Sequence, residues 1–289
     1  MNIVVVGATG MLGQALLREG ARRGNKPIGL ARNYADYNVN ITDSGKLVRT
    51  LEQIRPDVVI NAAAVTSLAE CEQDANLAYF VNARSVAILA DICAKMGIYL
   101  VQISTDHYFV NDRDAKHAET SPICLVNEYA RTKYAGEVFA LTCSGTLVVR
   151  TNIVGFRGKG QPTFIEWAIA ALESEERITL FEDFFTSSIH VDGFAAALFD
   201  ILPKKIAGTL NLAAREVSSK KEFICLLADE LRIELANTTS GSVSELCGPR
   251  RAESLGLDVD RAERLLGYKL PTTREVIGAL VQQYRESIL

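Results

Sequence analysis

The chain has no Lys/Arg-rich run, no CxxC pair and no apolar stretch near the roughly 20 residues that a bilayer span needs. Each absence removes a class of function. With a formal charge of −4 and no basic run, neither nucleic acid nor an anionic membrane is expected as the main partner. The six cysteines (Cys71, Cys93, Cys124, Cys143, Cys225, Cys247) are dispersed, and the three histidines, His107, His117 and His190, do not stand near them at ligand spacing. Free thiols and no metal site are therefore expected. Met1 leads straight into "NIVVVGATG" without a basic n-region or a cleavage site, so no secretion signal is expected and the location reads as cytoplasmic. The one tryptophan, Trp167, sits at helical spacing in "FIEWAIAAL" and reads as core.

What is present is apolar sequence in short pieces. Hydrophobic residues make up 48% of 289, enough for a full core. "NIVVV" (2–6), "KPIGLA", "DVVINAAA" (57–64), "IYLVQIST" (98–105) and "TLVVRTNIV" (146–154) read as strands. Helical patterns lie between them, such as "MLGQALLREGARRG" (11–24) and "DSGKLVRTLEQIRP", the latter capped by Asp43 and stopped by Pro56. That alternation predicts βαβ units and an α/β fold: a Rossmann-type doubly wound parallel sheet, with a smaller interleaved substrate-binding lobe. The nucleotide domain is expected over 1–150 with 190–212 and 276–289, and the lobe over 151–189 with 213–275.

"GATGMLG" places Gly7, Gly10 and Gly13 between a strand and a helix. Glycines there allow positive φ and let the backbone meet a pyrophosphate at a helix N-terminus. At the end of the second strand, Arg32 stands where an Asp or Glu would bind a ribose 2′-hydroxyl. A cation there suits a 2′-phosphate, so NADP(H) is preferred with NAD(H) allowed; a solvent-facing arginine explains the residue almost as well. "NEYARTKYAGE" (127–137) carries Tyr129 four residues before Lys133, a spacing that puts both on one helix face without saying what they do.

Taken together in this order, the glycine turn, "NAAAVT" (61–66), "ISTDHYF" (103–109), "YARTK" (129–133) and "AERLLGYKLP" give a chain that resembles the extended short-chain dehydrogenase/reductases, most closely the dTDP-4-dehydrorhamnose reductase group. The resemblance runs nearly end to end. It implies a cofactor set of Gly7, Thr9, Gly10, Met11, Leu12 and Gly13 at the pyrophosphate, Asn40 and Ile41 near adenine, and Ala62, Ala63 and Ala64 beneath the cofactor. Asn82 would sit on the nicotinamide side. It implies Tyr129 as the proton donor to a sugar carbonyl, with Lys133 holding the nicotinamide ribose and lowering the tyrosine pKa. Thr105 would steady the carbonyl oxygen, with Asp106 beside it, and Ser104 is a neighbouring hydroxyl able to share that role. Thr66, Asn152 and Arg251 fall at substrate positions, Arg251 toward phosphate.

Departures from the family pattern lie on the substrate side. His107 replaces a tyrosine after "STD", Ile153 replaces a tryptophan, Ala69 and Glu70 replace an Asp and Lys, and "FTSSIHVD" replaces a different segment. His107 adds a group able to hydrogen-bond or titrate, though a packed histidine is an equal reading. His190 reads as structural, and Arg157 and Lys159 in "FRGKG" are weaker basic candidates. The expected function is NADPH-dependent reduction of a keto group, at C4 by resemblance, on a nucleotide-activated deoxysugar. A non-catalytic NADP-binding regulatory subunit and a nucleotide-sugar epimerase stay open as alternatives, as does a homodimer.

Overall fold

The computed structural model describes residues 1–158, 160–174 and 177–288. Contacts divide the chain into two units: Met1–Thr105, Leu125–Arg150 and Ala195–Leu210 form the first, and Asp106–Cys124, Thr151–Phe194 and Asn211–Leu289 the second. The C-terminal segment 276–289, expected with the nucleotide domain, falls in the second unit, as does 106–124.

The first unit is built on a seven-stranded sheet in the order Gly208–Asn211, Leu147–Arg150, Tyr99–Ile103, Val58–Asn61, Ile3–Val6, Ile28–Ala31, Tyr37–Asn38. The strands from Leu147–Arg150 to Tyr37–Asn38 pair in parallel. Continuous β-branched runs form these strands because both faces are covered, as parallel sheets require. Val4, Val6, Val59, Leu100 and Val148 meet Leu47 and Leu51 of the helix Ser44–Ile54 and Leu89 of the helix Ser85–Met96 in one core. The Asp43 side chain caps its helix by accepting from the Lys46 N–H at 3.0 Å, and Arg55 in the left-handed region ends it before Pro56.

One helical stretch, Ala75–Met96, is long and apolar enough by composition to pass for a membrane span, although its sequence holds no unbroken apolar run of that length. Val86, Leu89, Ala90, Ile92 and Cys93 bury its inner face in the sheet's core, which is the pattern of a core helix. Near its start, Phe80–Arg84 forms a π-helical turn.

The second unit holds the helices Phe164–Glu173, Lys220–Leu231 and Thr273–Ile288 around Ile165, Leu172, Phe223, Leu227 and Leu280. A four-stranded sheet joins Ser218–Ser219, Phe185–Thr186, Ser254–Leu257 and Lys116–His117. The run 146–154, expected as one strand, breaks in two. Leu147–Arg150 belongs to the large sheet, whereas Ile153–Val154 pairs with Ile189–His190. Asn152, at the break, accepts from the Ile189 N–H through its carbonyl at 2.8 Å, while its side chain bonds Asp106 and Ser188.

Candidate active site

The glycine turn leaves the strand Ile3–Val6, which lies between Ile28–Ala31 and Val58–Asn61, where the strand order reverses and ligands of open α/β sheets bind. Gly7 has φ +84°, and a Cβ on it would stand 2.7 Å from the Ala63 nitrogen and 2.9 Å from the Ala62 carbonyl carbon. A Cβ on Gly13 would lie 2.2 Å from the Gly7 oxygen. Both positions therefore require glycine, and the turn is pressed flat onto the backbone of Ala62 and Ala63. Gly10 is the N-cap of the helix Met11–Arg22 and offers no side chain to its first turn, so the amides of Met11, Leu12 and Gly13 are not consumed by a cap. Thr9 is exposed, and its carbonyl accepts from the Gln14 side chain at 3.0 Å. This cradle fits a dinucleotide pyrophosphate.

Arg32 is exposed directly beyond the strand Ile28–Ala31. Asn40 is also exposed, its side chain accepting from the Thr42 N–H at 3.1 Å. The Ile41 side chain is in the core, which leaves only its backbone for a ligand. Ala64 is half-buried and Thr66 exposed on the loop after Asn61.

Asn82 is engaged within the protein. Its amide oxygen accepts from the Val65 N–H at 2.9 Å, and its nitrogen donates to the Val65 carbonyl at 3.0 Å and the Thr132 hydroxyl at 3.2 Å. Three of the four bonds an asparagine can make are thus spent within the protein. Asn82 holds the Ala62–Thr66 loop in place from the π-helical turn. Gly136 lets the next helix approach that turn, because a Cβ there would lie 2.3 Å from the Asn82 carbonyl oxygen.

The helix Glu128–Ala140 begins at Asn127, whose side chain accepts from the Ala130 N–H at 2.8 Å. Its buried face carries Tyr129, Thr132, Lys133, Gly136, Glu137 and Ala140, so Tyr129 and Lys133 are not residues of a solvated surface. Tyr129 packs on Leu68, Cys71 and Ala78. Lys133 donates to the Ile103 carbonyl at 2.8 Å, leaving two of its three ammonium hydrogens for a ligand. Burial lowers its pKa from 10.5 to about 8, with Glu137 and Cys71 pulling the other way. Thr105 is buried at the end of the strand that carries Ile103.

Ser104 is directed elsewhere: its hydroxyl donates to Glu137 at 2.6 Å. Glu137 in turn accepts from Arg150 in a buried ion pair at 2.8 Å. A hydroxyl held by a carboxylate is a poor partner for a substrate oxygen. Glu137 and Arg150 are absent from the sequence reading; the signal for Glu137 was its position four residues after Lys133 on the same buried face.

The second unit carries its own polar cluster. Asn152 donates to Asp106 at 2.7 Å and accepts from Ser188 at 2.8 Å, and Ser188 bonds Thr186 at 3.1 Å. Ile153 is half-buried, paired with Ile189. Burial lowers the His107 pKa to about 4, helped by the charges of Arg251 and Lys220, so this imidazole is neutral throughout the physiological range and does not titrate there. The Nε of Arg251 is buried without a hydrogen-bond partner among the described residues. His190 is structural: Nδ1 accepts from the Asp192 N–H at 3.3 Å and Nε2 bonds Gln283 at 2.9 Å. The Arg157 N–H donates to Glu166 at 2.7 Å, while Lys159 lies outside the described residues. Trp167, read as core, is 43% exposed on the helix Phe164–Glu173.

The family model described as "RmlD substrate binding domain" matches residues 1–286. The chain belongs to this family. It is 29% identical over 283 residues to the dTDP-4-dehydrorhamnose reductase of Shigella flexneri, covering 94% of each chain. It is 33% identical over 222 residues to the Mycobacterium tuberculosis protein of the same name, covering 74% of this chain and 70% of that one. The fold matches that of the Bacillus anthracis dTDP-4-dehydrorhamnose reductase solved in complex with NADP, with a TM-score of 0.88 at 24% identity, covering 98% of this chain and all of that one. An RmlD-family chain thus has the Rossmann-type fold that its motifs predict.

Proposed function

We propose that this RmlD-family chain is an NADPH-dependent oxidoreductase that reduces a keto group, at C4, on a nucleotide-activated deoxysugar. The observation that carries the reading is the burial of Tyr129 and Lys133 on one helix face, with Lys133 anchored to the strand end that leads into Thr105. The family relatives named dTDP-4-dehydrorhamnose reductase supply the substrate class. The first unit takes NADP through its glycine turn, and the second reads the sugar nucleotide.

When bound, the reduced nicotinamide supplies the hydride that adds to the carbonyl carbon. Tyr129 gives its phenolic proton to the carbonyl oxygen, so the product is an alcohol and the residue left behind is a phenolate. The Lys133 ammonium stabilises that negative charge in a dry setting, where an opposite charge acts strongly. Thr105 donates to the same carbonyl oxygen and fixes its direction. Solvent returns the proton to Tyr129.

The test is stoichiometric. One NADPH consumed per carbonyl reduced supports the reductase. Conversion of the sugar without net NADPH consumption would identify an epimerase, and tight NADPH binding without turnover would favour a regulatory subunit.

A further inference from the structure

The helix Glu128–Ala140 grips the end of the strand Tyr99–Ile103 at two points. Lys133 donates to the Ile103 carbonyl at 2.8 Å, and one turn later Glu137 accepts from the Ser104 hydroxyl at 2.6 Å. Two groups at i and i+4 on one helix face thus hold two consecutive residues, the last two before Thr105. The Ser104 N–H continues the sheet by donating to the Val149 carbonyl at 2.7 Å. Its backbone is fixed by the sheet and its side chain by the helix.

Glu137 is itself held from the neighbouring strand. Arg150, the last residue of Leu147–Arg150, donates through Nε to Oε1 at 3.0 Å and through Nη2 to Oε2 at 2.8 Å, a two-point grip that fixes the plane of the carboxylate. Glu137, Arg150, Ser104 and Lys133 are all buried. A buried ion pair is a poor source of stability, because desolvating both charges offsets their attraction. What this one supplies is direction, since the elements it joins are those that carry Tyr129 and Lys133 on one side and lead into Thr105 on the other.

We infer that Glu137, oriented by Arg150, is a positioning residue of the reduction: through the Ser104 hydroxyl it sets the helix of Tyr129 and Lys133 against the strand end that leads into Thr105. In the reductase reading, on which this inference rests, that fixes the proton donor relative to the hydroxyl that steadies the carbonyl oxygen. The Glu137 charge has a second effect. Glu137 and Cys71 are the titratable groups that act on Lys133, and the carboxylate opposes the burial that lowers the ammonium to about 8. Without that charge, and with Arg150 left unmatched, Lys133 loses its proton at a lower pH.

The test is steady-state kinetics against pH for the wild type, Glu137→Gln, Ser104→Ala and the double variant, with a keto sugar nucleotide that the wild type reduces, beside NADPH titration. Gln keeps the shape and can still accept from Arg150, whereas Ala removes the tie to Ser104 and leaves the ion pair whole. Ser104→Ala should lower kcat about tenfold with KM and the NADPH Kd unchanged, as a small misplacement of reacting groups implies. Glu137→Gln should lose at least as much and move the alkaline limb of the kcat profile to lower pH, a shift that Ser104→Ala should not show. The double variant should be no slower than Glu137→Gln, because both changes cut one tie. Wild-type kcat in Ser104→Ala, an unmoved alkaline limb in Glu137→Gln, or losses that add in the double variant would overturn the inference while leaving the reductase intact. Should Glu137→Gln fail to fold, Ser104→Ala decides alone through its split between kcat and KM. Absence of NADPH oxidation by the wild type with any keto sugar nucleotide would remove the reductase reading and this inference with it.

Discussion

The Lys133 ammonium donates to the Ile103 carbonyl at 2.8 Å, so the lysine of the YxxxK pair is tied to the strand that ends beside Thr105. That bond sets both the position of the charge and the dryness of its surroundings. Its consequence is measurable without substrate.

Burial takes Lys133 from 10.5 to about 8. Between those values the unfolded chain holds more protons than the folded one, so stability rises as pH rises through that window, and below about 8 the cost of the buried charge is fully present. A shift of this size corresponds to roughly 3 kcal/mol across the window. Lys220 is lowered to about 8 by the same cause, so each lysine contributes separately. Lys133→Met should lower the change in urea stability between about pH 8 and 10.5 by roughly 3 kcal/mol relative to the wild type, against the opposing contribution of the raised Cys71 and Cys93 thiols; an unchanged slope would contradict the buried-ammonium account.

Gly7→Ala is expected to lower NADPH affinity by at least about tenfold, as measured by fluorescence titration. The new methyl would meet the Ala63 nitrogen at 2.7 Å, and the residue would have to hold φ +84°. Retained affinity would mean that the turn does not need its close backbone approach.

Asn82→Ala should destabilise the protein by about 1–3 kcal/mol, since the Val65 N–H and C=O both lose their partner. Cofactor binding should weaken through the loosened Ala62–Thr66 loop rather than through a lost contact. The check is therefore a fall in thermal midpoint that accompanies any rise in the NADPH Kd. A rise in Kd with stability unchanged would argue for direct contact instead.

Arg32→Ala should weaken NADPH binding by about tenfold and leave NADH nearly unaffected, because a charge-assisted bond to the 2′-phosphate is what the two cofactors do not share. Equal effects on both would make Arg32 a solvated residue.

Much of this fold can be read from residue pattern alone. The β-branched runs, the Asp43 cap and the glycine turn are local signals, and each is found where its chemistry places it. The break of 146–154 is not local: its second half pairs with Ile189–His190, and the Asn152 side chain bonds Asp106 and Ser188, all far away in sequence. The same holds for Ser104, which looks like a substrate hydroxyl until Glu137 is found 2.6 Å away. Asn82 was legible as a motif residue but not as a clamp, since Val65 and Thr132 reach it only in the fold. Trp167 was misread because helical spacing fixes a face without saying which face is covered.

The most direct test of the central claim is NADPH oxidation by the purified protein with dTDP-, UDP- and GDP-linked 4-keto-6-deoxy sugars, run beside Tyr129→Phe. The wild type should oxidise NADPH with at least one donor, and the variant should turn over about 10²–10⁴-fold more slowly with its NADPH affinity unchanged. A Tyr129→Phe enzyme that keeps wild-type turnover would contradict the assignment of the proton to Tyr129.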